Sequence, residues 1–464
     1  MDTHKKNRMN NRTPFYRNTY RRDDLIQRRK KIAASIPDGD VALFVGAPAT
    51  GAFDVFRQYN DFYYLTGTEV PHSYLLISGD TAECTLFLEP LDPRMERSEG
   101  PMLSLEDSSA IYQLTGIEHV KPRHSLKAAC AHANAVWLPN ENQESSQACQ
   151  DTIQHASHSK TTDPFDVAVT RQEMVACELG LRQTAKHCLT AQLNSMRLIK
   201  DSTEVRWMRM AGELTARAVN LAMKSTKPGM FEFQLGAIAD AVFLTGGATR
   251  GGYRPIIATG ENIWNAHYFR NNTVLRDGEL VIMDYAPDLH YYTSDIGRMW
   301  PVNGSYSAVQ RELYGFIVEY HKLLLDTIAP GLTPEEIHEE AREKALPLID
   351  GWSWSRDVYR QAGIRVAEFT GHCSHTVGMA VHDNGSYFGR PIEPGLVFAL
   401  DPQMWVPEEN LYIRVEDTVV ITEDGYLNVT ADACLELDDV ERLMAQVPVF
   451  DELMPAFRNS TEGS

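Results

Sequence analysis

The chain has 464 residues, a mass of 52.3 kDa, 43% apolar and 23% charged residues, and a formal net charge of −19. This composition excludes an intrinsically disordered chain, a collagen-like repeat and a disulfide-dense mini-protein, and so acidic a balance argues against nucleic acid as a partner. No run of about 18 uncharged apolar residues is present, so no membrane-spanning helix is expected.

The charge is unevenly spread. Residues 1–31 carry eleven Lys/Arg against three Asp/Glu. Residues 1–21 are polar and basic, lack the apolar stretch of a secretory signal, and read as a solvated tail. The seven cysteines are scattered with no CxxC spacing. They read as free thiols in a reducing compartment, and the cytoplasm is the expected location.

In chain order, Asp23 to Ser35 has the pattern of a basic amphipathic helix, closed by the turn signal Pro37-Asp38-Gly39. Short apolar runs follow at Val41 to Val45, Tyr74 to Ser78, Cys84 to Leu88 and Ala135 to Leu138, with helical patterning between them, as at Ser104 to Leu114. Such alternation predicts a first α/β domain over 22–165 with a mixed or parallel sheet. Asn140 to Thr162 is polar and reads as a surface loop near a boundary. Residues 172–198 read as one linker helix. Asp201 with Glu204 then has the spacing of a capping box, and apolar residues from Val205 to Leu221 recur at helical spacing until Pro228-Gly229 stops the helix. A second domain is expected over 199–445, followed by a tail over 446–464.

The chemistry-bearing residues concentrate between 255 and 420. Two apolar runs, ending at Asp284 and beginning at Asp295, flank the turn-like Pro287-Asp288-Leu289-His290. A hairpin centred near Leu289–His290 would set Asp284 opposite Asp295, with Cβ atoms about 4.5–5.5 Å apart. Like charges facing one another in an apolar strand pair repel and are poorly solvated, and a cation between them removes both problems. The pattern recurs around Pro407-Glu408-Glu409-Asn410, where Asp401 and Glu416 are equidistant from the loop centre. Four facing carboxylates suit two divalent metals about 3.5–4 Å apart, and oxygen-rich donors favour Mn or Mg. Between the hairpins lies Gly371-His372-Cys373-Ser374-His375, with His382 seven residues beyond His375. Taken alone His375 would be an ordinary core histidine, but the run of His372, His375 and His382 points to a nitrogen ligand. His267 precedes the first hairpin.

The order His267, Asp284, Asp295, His375, His382, Asp401, Glu416 resembles the pita-bread metallopeptidases, which comprise aminopeptidase P, prolidase and methionine aminopeptidase. DYAPDLHYYTSDIGRMWPVNG, HTVGMAVHD and IRVEDTVVIT are similar to that family's motifs. FRQYNDFYYLTG at Phe56–Gly67 resembles the N-terminal domain of aminopeptidase P and prolidase, which methionine aminopeptidase lacks. The resemblance spans roughly 22–445.

The resemblance implies an α/β (α+β) chain, with a creatinase/prolidase-like N-terminal domain and a pseudo-symmetric pita-bread catalytic domain. It implies an Xaa-Pro aminopeptidase in which Asp284, Asp295, His375, Asp401 and Glu416 hold two metals. Mn is expected first, with Co, Zn or Fe as alternatives. Asp295 and Glu416 would bridge the metals, and a hydroxide between them would attack the scissile carbonyl. His267 and His382 would bind the substrate or the tetrahedral intermediate, and Arg414 would orient Glu416 or the substrate. The family usually has Glu, both ligand and proton shuttle, where this chain has the shorter Asp401. The expected partner is a peptide with proline in second place, and a homodimer or homotetramer is compatible with the sequence. Two alternatives stand beside this reading: an Xaa-Pro dipeptidase, and a pita-bread binding module with little or no peptidase activity.

Overall fold

The computed structural model describes residues 19–51, 54–139, 158, 171–181, 188–369 and 375–447. The basic tail before residue 19, nearly all of the polar segment 140–162, His372 and the chain after residue 447 lie outside the described residues. The chain divides into two compact units, 1–197 and 198–464.

The first unit opens with α1 (Arg22–Ala33), whose first turn carries Asp23 and Asp24 and whose last turn carries Lys30 and Lys31, matching the helix dipole at both ends. Its sheet has the order β4-β3-β2-β1-β5 and is built from β1 (Val41–Val45), β2 (Tyr74–Ser78), β3 (Cys84–Leu88), β4 (His119–Pro122) and β5 (Val136–Trp137). The three central strands pair antiparallel and the two outer pairings are parallel, so the sheet is mixed. The buried Arg29 side chain donates to the Leu65 carbonyl at 2.8 Å and the Thr115 carbonyl at 2.6 Å. Those carbonyls lie at the C-terminal ends of α2 (Asn60–Thr66) and α3 (Ser108–Thr115), so one guanidinium satisfies orphan acceptors of two helices.

The expected single helix over 172–198 is instead two helices, α4 (Arg171–Leu179) and α5 (Thr190–Leu198). Gly180 takes a left-handed φ of 70°, a helix-ending conformation, and Cys188 forms an isolated bridge to Leu138.

The second unit begins with α6 (Ser202–Ser225). Its capping box forms as expected: Asp201 Oδ1 accepts from the Thr203 and Glu204 amides, and Glu204 Oε2 accepts from the Asp201 amide at 2.9 Å. A second long helix, α7 (Glu232–Thr245), packs beside it. The central sheet is antiparallel in the order β11-β14-β10-β8-β7, with β15 (Gly425–Asn428) added on β14. Its strands are β7 (Ile256–Thr259), β8 (Leu280–Asp284), β10 (Ile296–Pro301), β11 (Val397–Leu400) and β14 (Glu416–Thr422). Two short ribbons complete the unit: β6 (Arg250–Gly251) with β9 (Pro287–Asp288), and β12 (Gln403–Val406) with β13 (Leu411–Arg414). Helices α8 (Ala308–Leu325), α9 (Pro334–Gly351) and α10 (Asp357–Ala367) pack together, and α10 lies against β12.

Both hairpins form, with different outcomes for their register. In the second, Leu400 pairs with Asp417 and Gln403 with Arg414, which sets Asp401 opposite Glu416 as expected. In the first, Met283 pairs with Arg298, and continuing that register puts Gly297, not Asp295, opposite Asp284. The cause is the turn. Leu289 and Tyr292 exchange backbone hydrogen bonds, and His290 and Tyr291 both take left-handed φ values, 54° and 72°. The two-residue turn is therefore centred on His290–Tyr291, one residue later than expected. Because side chains alternate with period two, the slip leaves Asp295 on the same face as Asp284, as a diagonal neighbour.

Candidate metal centre

A row of positions crosses four strands of the second unit. Asp401 follows β11, Glu416 opens β14, Gly297 lies on β10 and Asp284 ends β8. Gly297 pairs with Glu416, so the only position between the two carboxylates has no side chain. A Cβ there would sit 3.0 Å from both Arg414 Nε and Glu416 Cβ, so the glycine keeps the space open. One oxygen each from Asp284, Asp295 and Glu416 lies within 4.8 Å of the others, and Asp295, His375 and His382 form a second such group.

The histidine segment runs along β11. The Ala399 amide donates to the His375 carbonyl and the Val377 amide to the Val397 carbonyl. The Asp383 amide then donates to the Thr376 carbonyl at 2.8 Å, and Thr376 Oγ1 donates to the Asp383 carbonyl at 2.6 Å. That closure folds His382 back onto His375, with ring centroids 3.8 Å apart, and His267 lies 5.8 Å from His382. The buried pair Lys200–Asp383, at 3.3 Å, anchors the loop. His375 Nδ1 lies 3.3 Å from the Thr376 carbonyl, and donation there leaves Nε2 as the ligand atom.

The electrostatics are those of a crowded acidic site. His375 Nε2 lies 3.3 Å from Asp295 and 3.8 Å from Glu416. Arg414 reaches Asp284 at 2.5 Å and Glu416 at 3.2 Å. Burial and the Asp295 charge push Asp284 up to about 7 against the pull of Arg414. Burial also raises Asp295, but the His375 contact overrides it and holds the carboxyl below its ordinary range. Glu416 is driven well above its ordinary value, first by burial, with Arg414 opposing. Its two oxygens are buried and accept no hydrogen bond among the described residues.

Three buried carboxylates joined by the His375 ring, and a gap that a Cβ would fill, fit a divalent metal. Asp284, Asp295, Glu416 and His375 are brought together, as are His267 and His382. Asp401 is not in either group of converging ligand atoms among the described residues. Its Oδ2 accepts from Gln403 Nε2 at 2.8 Å, and it lines a cavity of about 430 Å³ with Tyr320, His338, Arg365 and Trp405.

Sequence reasoning missed Tyr253. Its hydroxyl lies 2.6 Å from Asp284 Oδ1 and 2.8 Å from Asp295 Oδ1, serving both carboxylates from three residues before β7. Gly251-Gly252-Tyr253 holds no charged group, so no spacing signal marked it. Sequence reasoning also missed the pair Arg298–Asp417, 2.7 Å apart on the opposite face of β14 from Glu416. The adjacency of two acids in Val415-Glu416-Asp417 was the one signal available.

A family profile described as "Metallopeptidase family M24" matches residues 206–423, and one described as "Aminopeptidase P, N-terminal domain" matches residues 25–136. The "Xaa-Pro aminopeptidase" of Escherichia coli (strain K12) is 30% identical, over 91% of this chain and 98% of that protein. "Intermediate cleaving peptidase 55, mitochondrial" of Arabidopsis thaliana is 28% identical, over 91% of this chain and 83% of that protein. The solved aminopeptidase P from E. coli with the inhibitor Pro-Leu superposes with a TM-score of 0.73 at 27% identity, covering 92% of this chain and 98% of that one. Fold and site together define an M24 metallopeptidase. Within that class the chain belongs to the aminopeptidase P family and is a metallo-aminopeptidase.

Proposed function

We propose that this enzyme releases the first residue from peptides with proline in second place, using two divalent ions held by Asp284, Asp295, His375, Asp401 and Glu416. The observation that carries the reading is Glu416, a fully buried carboxylate facing Asp284 across a glycine, with no hydrogen bond to either oxygen among the described residues. Arg414, 3.2 Å away, offsets that burial on one side only, and a carboxylate so placed is costly as an anion unless a further cation completes it. The oxygen-rich donor set favours Mn, with Co, Zn or Fe as alternatives.

Held there, divalent ions would supply Lewis-acid polarisation of the scissile carbonyl and an activated water. The chain's residues supply the rest. Asp295 and Glu416, which both face His375, would hold the ions from the middle of the row. His267 and His382 donate to the oxygen that gains charge as the carbonyl is attacked. Arg414 holds Asp284 and Glu416 in place. Asp401, once released from Gln403, carries a proton to the leaving nitrogen. A proline nitrogen has no hydrogen and its ring fixes φ near −65°, so a site that accepts it must be shaped for the ring.

One finding favours a second reading. The relative named intermediate cleaving peptidase is 28% identical, the same as the human protein named Xaa-Pro aminopeptidase 3. Ala-Pro-Ala assayed beside Ala-Ala-Ala with Mn separates the two. Release of Ala chiefly from the first peptide is expected. Equal cleavage favours the intermediate-cleaving reading, and cleavage that survives complete chelation overturns the metal mechanism. Cleavage of Ala-Pro but not Ala-Pro-Ala would make the enzyme a dipeptidase.

A further inference from the structure

The hairpin of β12 and β13 carries a group with no place in the mechanism above. On β13, Tyr412 and Arg414 are two residues apart and share a face, and Arg414 on that face reaches Asp284 and Glu416. Trp405, paired with Tyr412 across the hairpin, packs its ring 4.3 Å from the tyrosine ring. Trp405 in turn meets Trp264 edge-on at 5.0 Å, three residues before His267. Tyr412 is fully buried, and its hydroxyl has no hydrogen-bond partner among the described residues. The charged groups around that hydroxyl are Arg414, Asp401, Glu416 and Asp284. Burial raises the hydroxyl's pKa above its ordinary value, so it stays protonated and is a donor.

A buried donor with no acceptor destabilises a fold, and phenylalanine would fill the same volume without that penalty. The charged groups that act most strongly on this donor, Arg414, Asp401, Glu416 and Asp284, are those of the metal centre. We propose that Tyr412 is a positioning residue of that centre: its hydroxyl donates to an oxygen ligand of the bound metals, either a carboxylate of the row or solvent held there. The inference rests on the metal reading of the site. It adds to the centre a donor from the strand carrying Arg414, beside the shortened Asp401.

Tyr412→Phe tests this with readouts other than turnover. Both proteins are stripped with chelator, their melting temperatures compared, and Mn affinity measured calorimetrically. Loss of an outer partner of a metal site weakens metal binding by about tenfold or more. The expected result is therefore about tenfold weaker Mn binding in Tyr412→Phe, with the metal-free melting temperature unchanged or raised. A lower metal-free melting temperature would show that the hydroxyl serves the fold, and unchanged Mn affinity would show that it does not address the centre. Either overturns the proposal while leaving the metal reading intact. Failure of the unsubstituted enzyme to bind Mn removes the metal reading, and this inference with it.

Discussion

Glu416 and Asp417 are consecutive, both buried to 1% exposure or less, and point to opposite faces of one strand. Asp417 is provided for entirely by the chain. Arg298 reaches it at 2.7 Å, Thr430 donates to it at 2.6 Å, His321 lies at 3.4 Å, and it is held below the ordinary carboxylate range against the opposing effect of burial. Glu416 has Arg414 on one side and, among the described residues, no hydrogen bond to either oxygen. Two acids in nearly identical burial thus receive opposite treatment. The back face pairs its carboxylate fully and fixes where the strand lies, because Arg298 also donates to the Glu416 carbonyl at 2.6 Å. The front face is left incomplete, which is the condition for binding a cation.

The largest effect should come from breaking the closed face. Arg298→Met leaves Asp417 buried without its cation, and removal of one partner from such a pair costs about 3–5 kcal/mol. Denaturant unfolding should show a loss of that order in metal-free protein. Because Arg298 also holds the Glu416 backbone, Mn uptake should fall too. A variant as stable as the unsubstituted protein would mean that the two faces are treated alike.

The next effect concerns His321. Burial pushes this imidazole down to about 4, and the nearby Asp417 charge only partly opposes it. The unfolded value is about 6.5, so the folded state prefers the neutral ring. The contribution is fully present above pH 6.5 and is lost as pH falls through about 4, with a size of about 3 kcal/mol. His321→Gln cannot titrate. The difference in melting temperature between the two proteins should therefore change between pH 6.5 and 4 and be flat above. A difference that is flat throughout would mean that the folded ring titrates as the unfolded one does, and a change above pH 6.5 instead would mean that the ring is held charged.

The same contrast explains what could be read from the amino-acid order. The front face was legible where chain geometry is regular. Asp401 faces Glu416 as expected because the polar tip Pro407 to Asn410 turns with Asn410, a residue tolerant of left-handed φ. The first hairpin slipped because His290 and Tyr291 occupy left-handed positions usually filled by Asn or Gly, and nothing in their chemistry announces it. Gly297 looked like any strand glycine until the pairing on both sides of β10 showed that it separates two carboxylates. Tyr253, Arg298 and Tyr412 act through tertiary contacts across long stretches of sequence, which residue spacing does not encode. Gly180, with its left-handed φ of 70°, ends a helix inside the segment expected to be continuous over 172–198.

The smallest effect sharpens the front face alone. Asp401 stands opposite Glu416 but turns its carboxylate to Gln403, at 2.8 Å, and borders a cavity of about 430 Å³. Adding a methylene there does not overfill a packed core, so Asp401→Glu should leave stability within about 0.5 kcal/mol. The longer arm can reach toward His375 and Glu416 and add a ligand to the metal position on that side of the row. One restored donor of a hydrogen-bonded or coordinating kind is expected to tighten the weaker of two Mn-binding steps by about tenfold, or about 1.4 kcal/mol. Calorimetric titration of both proteins resolves the two steps, and turnover of Ala-Pro-Ala should rise with occupancy of the second. If neither step tightens, the backbone between Leu400 and Gln403 already brings Asp401 close enough when metal binds. The bond to Gln403 is then only the resting position of a working ligand, and the front face is as complete for its cations as the back face is for Asp417.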